Sequence, residues 1–333
     1  MGIQRTDQPG PDTAAAGHPR SDHCDGRRFF NPGGHVNRTL RDILRWKFGS
    51  KPAPWPASVP VSVRPPPAPP ADGSIAATWV GHSTFLLQTA RSAVLTDPVW
   101  SLRAGPAGVL GPRRVHPPAI PFESLPRINA ILLSHDHYDH CDLPTLRRLA
   151  RAWQPVVVTP LGNAELCRRA GLTRIIELDW WESCEPAPDL DVTLTPSRHW
   201  SNRLTGPRNG RLWGGFNLQA SGRRVHFVGD TGYDAGLFPA IRERLGPPHL
   251  ALVPIGAYEP RWFMAPQHCD PDEAVRIHLD LGAALSLAMH WGCWQLTDEP
   301  REEPVHRLHQ ARLRAGLPES AFQTPEPGDT VVI

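Results

Sequence analysis

The sequence predicts an α/β protein in which two mixed sheets pack face to face with helices outside, an αββα sandwich. Two β-rich halves of the chain support this architecture, because each contains a series of short strands accompanied by helical patterns. The chain of 333 residues, 40% of them hydrophobic, is also long enough to bury a sizeable core. We therefore expect one large domain built from both halves.

The first half begins with a meander of three short strands, separated by a Gly-His-Ser turn and an Ala-Arg-Ser turn. A buried strand and two helix-strand pairs follow, read from apolar runs and from helical spacing. The expected strands lie at 75–80, 84–88, 93–96, 128–133, 155–159 and 174–178, and the expected helices at 143–153 and 163–170.

The second half repeats this pattern of apolar strands, with one well-marked helix. That helix, at 271–281, begins with Pro271, and proline is tolerated in the first turn because its missing N–H would have no helical partner there. The expected strands lie at 191–195, 213–220, 223–228, 250–254 and 284–288.

Residues 1–70 are expected to form an extension that precedes a catalytic domain at 71–333. Residues 1–28 are polar and lack a hydrophobic period, which predicts poor order. Nine prolines between Pro52 and Pro70 predict an extended, semi-rigid connector.

A short basic amphipathic helix is predicted at 37–48, with Asn37 as its cap. Helical spacing places four apolar residues on one face, while the basic residues lie largely elsewhere. The apolar residues are Leu40, Ile43, Leu44 and Phe48. Such a helix packs either on a membrane surface or on the catalytic domain, and the sequence leaves both alternatives open.

Charge and cysteine usage exclude several classes of protein. The net charge is +2 and the arginines are scattered, so we expect no nucleic-acid partner. The six cysteines form no Cys-x-x-Cys pair, which argues for reduced thiols rather than a disulfide framework or a zinc ribbon. The chain shows neither a secretory signal nor an apolar run of about 20 residues. We expect a cytoplasmic protein, with peripheral contact at the inner membrane face left open.

The strongest chemical signal is the stretch 134–140, Ser-His-Asp-His-Tyr-Asp-His, which follows the apolar strand at 128–133. Four potential metal ligands fall within six residues on the expected loop: His135, His137, Asp139 and His140. Imidazole and carboxylate are good ligands for zinc and related divalent ions, and this many donors could serve two adjacent ions. The alternative is a surface loop that is rich in His and Asp by chance.

The order His-x-His-x-Asp-His resembles the signature of the metallo-β-lactamase-fold hydrolases, whose fold is also an αββα sandwich. The resemblance implies further ligands at His199, Asp230 and His290, each at the end of a predicted strand, and a supporting aspartate at Asp97. It implies two metal ions, zinc first, with iron or manganese as alternatives. His135, His137 and His199 would hold one ion. Asp139, His140 and His290 would hold the other, and Asp230 would bridge them.

A dinuclear site of this kind implies hydrolysis without a serine or cysteine nucleophile. Two ions about 3.5–4 Å apart can lower the pKa of a bridging water from ~16 to near 7, and the resulting hydroxide would be the nucleophile. Asp139 and Asp230 are therefore candidate catalytic residues as well as ligands. The sequence contains no Gly-x-Ser-x-Gly turn that would suggest another nucleophile.

A narrower resemblance extends over about residues 75–300. The strings 78–84, 95–100, 267–278 and 289–292 are similar to those of the phospholipase D family that hydrolyses N-acylphosphatidylethanolamine. This resemblance implies a phospholipid or small phosphodiester substrate, with Gln267 and His268 near the headgroup. A lactonase or other carboxylic-ester hydrolase could use the same site. A non-catalytic protein that retains the fold is the third alternative, and the sequence does not fix the oligomeric state.

Some residues near these motifs have more than one interpretation. Trp200 and Trp262 could wall an apolar channel for an acyl chain or belong to the core. Arg198 and Arg261 could bind a phosphate or lie on the surface. His82 could contact the metal site or have only a structural role in the turn after the first strand.

Overall fold

The computed structural model describes residues 17–34, 38–204 and 206–333. Within these ranges, fourteen strands form two mixed sheets of seven strands each, and helices accompany both sheets. The predicted αββα architecture is confirmed.

The first sheet combines the N-terminal meander with parallel strands and with the last strand of the chain. Strands β1 to β3 and β14 pair antiparallel, whereas β3 to β6 run parallel. In sheet order the strands are β14 (Thr330–Val332), β1 (Ala76–Gly81), β2 (Thr84–Gln88), β3 (Ala93–Thr96), β4 (Ala130–Leu132), β5 (Val156–Pro160) and β6 (Ile175–Leu178).

The second sheet has the same mixed character. Strands β7 to β10 pair antiparallel, and β10 to β13 run parallel. In sheet order the strands are β13 (Phe322–Gln323), β12 (Leu285–Met289), β11 (Leu250–Pro254), β10 (Arg223–Phe227), β9 (Gly215–Ala220), β8 (Leu190–Thr195) and β7 (Ser183–Ala187).

Two apolar cores explain why the central strands are apolar on both faces. The larger core includes residues of both sheets and of three helices, and the smaller core lies between the first sheet and two helices. Trp79 of β1 belongs to the larger core and the next residue, Val80, to the smaller one, because successive side chains of a strand point to opposite faces. The helices are α1 (Leu40–Gly49), α2 (Leu143–Trp153), α3 (Ala164–Arg169), α4 (Leu237–Leu245), α5 (Arg261–Met264), α6 (Pro271–Leu281) and α7 (Glu303–Arg314).

Residues 17–34, here called the N-terminal strap, pack against the domain. Cys24 and Phe29 are buried in the larger core, and the Phe29 amide donates to the Asn209 carbonyl at 2.8 Å. Residues 17–28 therefore contact the domain although the sequence predicts poor order for them, because two isolated apolar residues give no hydrophobic period in the sequence. Residues 1–16 lie outside the described ranges.

Helix α1 packs on the domain, but not through its predicted apolar face. Trp46 is buried against Phe263 and Met264, and its indole N–H donates to Asp298 Oδ2 at 2.7 Å. The predicted face points to solvent: the exposed fractions are 70% for Leu40, 39% for Ile43, 47% for Leu44 and 85% for Phe48. The cap is Thr39, which accepts from the Asp42 amide; the predicted cap Asn37 lies outside the described residues.

The proline-rich connector runs along the domain without forming a helix or strand between residues 52 and 70. Its backbone amides donate at three points: from Ala53 to Asp298, from Val59 to Val115 and from Arg64 to Ala119, all to carbonyl oxygens. All six cysteines are free thiols. In the described ranges, every helix is too short or too polar to cross a bilayer.

Candidate metal centre

The predicted ligands meet on loops at the carboxyl ends of strands from both sheets. The loop from His135 to His140 follows β4, His199 follows β8, Asp230 follows β10 and His290 follows β12. Within the first loop, the amides of His140 and Cys141 both donate to the His137 carbonyl. This tight turn brings Asp139 and His140 back toward the ligands that precede it.

Three histidines form the first donor group. His135 Nε2 lies 2.9 Å from His137 Nδ1, which in turn lies 3.1 Å from His199 Nε2. Each ring therefore has a nitrogen within 4.8 Å of the others, as a shared ion requires. His135 and His199 are almost fully buried, whereas His137 is half-buried.

The second donor group contains Asp139, His140 and His290, and the structure adds His82 to it. Asp139 Oδ2 lies 3.4 Å from His140 Nε2 and 3.5 Å from His290 Nε2. His82 comes from the turn between β1 and β2, and its Nε2 lies 3.0 Å from the same carboxylate oxygen. Asp139 is therefore surrounded by three imidazoles.

Asp230 lies between the two groups. Its Oδ2 is 3.2 Å from both His140 Nε2 and His290 Nε2, which belong to the second group. The same oxygen is 3.7 Å from His199 Nε2 and 4.0 Å from His135 Nε2, which belong to the first. A carboxylate in this position has the geometry that a bridging ligand needs.

Electrostatics favour neutral imidazoles in the first group. Burial lowers the pKa of His135 well below its usual value, that of His137 to about 4 and that of His199 to about 3. For Asp230, burial would raise the pKa, but His140 and His290 outweigh burial and hold it well below its usual value. The first group thus offers unprotonated nitrogens beside an ionised carboxylate. In the second group, burial would lower the pKa of each histidine, but Asp230 and Asp139 outweigh burial and raise the pKa of His140 well above its usual value and that of His290 to about 9, so these carboxylates favour positive charge there.

The residues fit divalent cations. Five buried side-chain atoms of the candidate ligands make no hydrogen bond to any described residue: His137 Nε2, His140 Nε2, both ring nitrogens of His290 and Asp230 Oδ1. Buried polar atoms without partners are costly, and their accumulation at one point indicates a bound group that satisfies them. Imidazole nitrogens and carboxylate oxygens are ligands of zinc, iron and manganese, so the donor set suits a metal without selecting one.

Neighbouring groups fix the orientation of the ligands. Asp97 is fully buried and accepts from His140 Nδ1 at 2.7 Å, and it also accepts from the amide and hydroxyl of Ser134. The Gln267 carbonyl lies 2.9 Å from His199 Nδ1. Asn31 of the N-terminal strap donates from Nδ2 to the His199 carbonyl at 3.0 Å. Contacts of this kind set ring orientation and raise the basicity of a ligand.

Asp136 is a buried residue of the ligand loop that connects this loop to neighbouring segments. It is 1% exposed, and its carboxylate accepts from Arg211 at 3.1 Å and from the Asn202 amide at 2.9 Å. Arg203 donates to the carbonyls of Asp136 and Cys141 and stacks 4.0 Å from the centre of the Tyr138 ring. Asp136 and Tyr138 therefore join the ligand loop to the segment that follows His199.

The two predicted substrate residues differ in position. His268 Nδ1 lies 4.0 Å from Asp230 Oδ2, and its ring contacts those of His199 and His290. Gln267 meets the centre through its backbone carbonyl, while its 7% exposed side chain donates toward Met264 Sδ at 3.7 Å. The geometry does not place the Gln267 amide at the site, and its predicted contact with substrate stays a prediction.

The structure also shows the positions of the residues for which the sequence allowed more than one role. Arg198 pairs with Asp234 at 3.1 Å and Arg261 with Glu273 at 2.7 Å, so both are engaged in the domain itself. Trp200 is half-buried with its ring 4.6 Å from that of His137, whereas Trp262 is 39% exposed beside α1. Asn31 belongs to a segment, Asn31-Pro32, that is similar to the leading region of the phospholipase D family, whereas the position of Arg208 near the site had no sequence signal.

Comparison with known sequences identifies relatives of the whole domain. Residues 92–291 match the family model described as beta-lactamase superfamily domain. An uncharacterized protein of Mycobacterium tuberculosis is 41% identical over 263 residues, which cover 77% of this chain and 68% of that protein. The N-acyl-phosphatidylethanolamine-hydrolyzing phospholipase D 1 of Caenorhabditis elegans is 36% identical over 269 residues, which cover 78% of this chain and 76% of the nematode protein.

A solved structure shares the fold at low sequence identity. CmlA, described as a diiron beta-hydroxylase from Streptomyces venezuelae, superposes with a TM-score of 0.59 and 19% identity. The match covers 80% of this chain and 55% of that protein. At this identity the likeness concerns the fold alone.

Proposed function

Because the chain belongs to the beta-lactamase superfamily of metal-dependent hydrolases, we propose that it is a dinuclear phosphodiesterase of phospholipase D type. The proposed reaction releases an N-acylethanolamine from N-acylphosphatidylethanolamine. The observation that carries the proposal is the pair of donor groups joined by Asp230, in a chain 36% identical to a relative described by that activity.

In the proposed centre, His135, His137 and His199 would hold one ion. Asp139, His140 and His290 would hold the other, and Asp230 would be shared between them. Bound there, divalent ions supply Lewis-acid polarisation of a phosphoryl oxygen and lower the pKa of water. Zinc is the proposed metal, with iron and manganese as alternatives that suit the same donors.

The chain's own residues position and bind the substrate. Burial lowers the pKa of His268 to about 3, so at neutral pH its ring is uncharged and can donate one hydrogen bond. His268 Nδ1 is buried and makes no hydrogen bond to a described residue, which leaves it available for a substrate oxygen. Asp139, the more exposed of the two carboxylates at the centre, is held by His82 and can accept a hydrogen bond from an attacking water.

A peripheral membrane contact is part of the proposal. Helix α1 turns Leu40, Leu44 and Phe48 to solvent, and its exposed cations, Arg41, Arg45 and Lys47, suit an anionic cytoplasmic lipid surface. Its anchor, Trp46, packs on the segment 261–268, which also carries His268. Helix α1 is therefore attached to the same segment of the chain as a proposed substrate residue.

The decisive experiment measures metal content and N-acylethanolamine release in the wild type and in Asp230→Asn. About two ions per chain in the wild type, with release lost in the variant, would support the proposal. Turnover of lactones without turnover of any phosphodiester would replace it with a carboxylic-ester hydrolase. Metal without turnover of either substrate class would favour a non-catalytic protein.

The membrane contact is tested by cosedimentation with vesicles that contain phosphatidylglycerol. Phe48→Ser combined with Leu44→Ser should reduce binding, whereas Leu313→Ser, which changes an exposed leucine on α7, should not. Equal binding by all three proteins would refute a role for α1.

A further inference from the structure

Arg208 lies at the rim of the metal centre, one aromatic ring away from a ligand. Its guanidinium carbon is 4.3 Å from the centre of the Trp200 ring, and that ring is 4.6 Å from the imidazole of His137. The backbone next to Arg208 is also fixed, because the Asn209 carbonyl accepts from Phe29 and its amide donates to the Ser201 carbonyl. The guanidinium is therefore held next to Trp200, on the half-buried side of the centre that includes His137.

No carboxylate among the described residues lies within 4.0 Å of this half-buried cation. Its Nη1 donates to the Arg38 carbonyl at 3.3 Å, and its Nε is buried without a hydrogen-bond partner. Burial lowers the pKa of Arg208, which expresses the cost of holding this charge without a counter-ion.

Arg203 also has no carboxylate within 4.0 Å among the described residues, but it is 6% exposed and donates to the backbone carbonyls of Asp136 and Cys141. Three other arginines near the site differ from Arg208 in having such a partner. Arg198 pairs with Asp234, Arg211 with Asp136 and Arg261 with Glu273. Each of these guanidinium groups forms an ion pair with a carboxylate within the domain, and that carboxylate neutralises its charge. The structure gives no such internal explanation for the charge of Arg208, which favours an external anion.

We propose that Arg208 is a phosphate-binding residue at the rim of the metal centre, held by Trp200 and directed at the phosphate group of a phosphodiester. This inference rests on the proposed function, since it names the part of the substrate that the rim recognises. A guanidinium presents several N–H donors in one plane and binds phosphate oxygens through two parallel hydrogen bonds. Stacking on the indole fixes that plane before the anion arrives.

The phosphate has two possible sources with the same chemistry. It belongs either to the diester that is about to be cleaved or to an anionic lipid beside it in the same surface. In both cases the residue favours anionic substrates or surfaces and gives no advantage to a neutral lactone. Arg208 would thus contribute to the choice between the two reaction classes that the metal donors alone permit.

The test compares Arg208→Gln and Arg208→Lys with the wild type and with Arg148→Gln. Arg148 is a matched control, because its guanidinium also stacks on an aromatic ring, Phe122, but pairs with Glu123 away from the centre. Metal content, KM and kcat are measured with bis(4-nitrophenyl) phosphate, with δ-valerolactone, and with N-acylphosphatidylethanolamine in vesicles with and without phosphatidylglycerol. Binding of dimethyl phosphate is measured by calorimetry on the metal-loaded proteins.

Arg208→Gln should raise KM for the soluble phosphodiester about tenfold, which corresponds to about 1.4 kcal/mol, with metal content, kcat and lactone kinetics unchanged. Arg208→Lys should recover part of this loss, because it restores the charge without the planar fork. If only the vesicles with phosphatidylglycerol show the effect, the phosphate comes from the neighbouring lipid.

Two outcomes would overturn the proposal: unchanged KM in every assay, or an equal rise in KM for the lactone, which would indicate a purely structural residue. If the wild type cleaves no phosphodiester, the proposed function fails, but calorimetry still decides the inference. Weaker binding of dimethyl phosphate to Arg208→Gln than to Arg148→Gln would support the anion site, and equal binding would refute it.

Discussion

The imidazole of His82 lies 3.0 Å from the carboxylate of Asp139, although the two residues are 57 positions apart in the sequence. Burial lowers the pKa of His82 to about 3, so the ring is neutral at pH 7 and can donate a hydrogen bond to Asp139. The His82 carbonyl also accepts from the His290 amide at 3.1 Å. One turn residue therefore holds two predicted ligands of the same ion.

His82→Asn should lower turnover and metal affinity about 10–100-fold, the usual loss when a residue that orients a metal ligand is removed. Asparagine is the suitable replacement, because His82 has a φ of 54° and asparagine tolerates this left-handed backbone better than alanine does. The measurement is metal content by mass spectrometry over a titration with zinc. Wild-type metal affinity in this variant would show that the contact is unimportant for the ion.

Asp230→Asn should lose both ions, since the carboxylate contacts both donor groups and an amide is a poorer ligand. We expect turnover to fall about 100-fold or more. Asp280→Asn is the matched control: this carboxylate accepts from the hydroxyl of Tyr233 away from the centre. Loss of only one ion in Asp230→Asn would contradict the bridging position.

Metal removal should destabilise the fold. The donors converge only in the folded chain, so a bound ion adds to the free energy of unfolding, by ~4 kcal/mol when its concentration is about 1000 times Kd. We expect a chelator to lower the thermal midpoint by about 5–15 °C. The same treatment should leave the midpoint of Asp230→Asn nearly unchanged. Equal shifts in both proteins would show that the chelator acts elsewhere.

The contact between His23 and Asp179 should make the contribution of the N-terminal strap to the free energy of unfolding depend on pH. Burial lowers the pKa of His23, but its bonds to Asp179 and Asp22 outweigh burial and raise that pKa above 6.5. The pKa of Asp179 is below 3.8, because the bond from His23 outweighs burial. Protonated His23 therefore stabilises the folded state fully below pH 6.5, and this stabilisation is lost as the pH rises through its raised pKa. Ionised Asp179 stabilises the folded state above pH 3.8, and this stabilisation is lost as the pH falls through its lowered pKa.

Asp179→Asn should accordingly lower the free energy of unfolding by about 1 kcal/mol near pH 5–6, and by less near pH 8.5. Denaturant titrations of metal-free protein at both pH values measure the difference from wild type. Asp189→Asn, at an exposed pair with Arg91, is the control and should show no such dependence on pH. If Asp179→Asn loses more free energy of unfolding near pH 8.5 than near pH 5–6, the charged contact is refuted.

The fold and the donor residues could be predicted because their signals are local. Strands β2, β3 and β11 and helices α2 and α6 lie where the apolar patterns place them. The first four donors lie close together in the sequence, whereas His199, Asp230 and His290 were predicted from the resemblance to the family, each after a predicted strand. The apolar patterns missed β7, where only Pro186 is buried, and α7, where the buried Arg312 interrupts the apolar face.

The contacts around the centre could not be predicted, because they join residues that are distant in the sequence. Asn31 reaches the His199 carbonyl across 168 positions, and Arg208 reaches Arg38 across 170. No spacing rule links such pairs. For α1 the apolar period correctly predicted a helix, but it did not predict the buried side. The helix packs on the domain through Trp46, which lies outside the predicted apolar face.

Strand β14 pairs with β1, and the amides of Ile75 and Ile333 each donate to the carbonyl of the other at 3.0 Å. The first sheet is therefore completed only after β14 has been synthesised, although β1 to β3 are synthesised much earlier. Until then β1, whose residues are all buried in the finished protein, remains an open edge strand. A polypeptide truncated before Thr330 would present that edge to other chains, so such a variant should aggregate rather than fold into a working hydrolase.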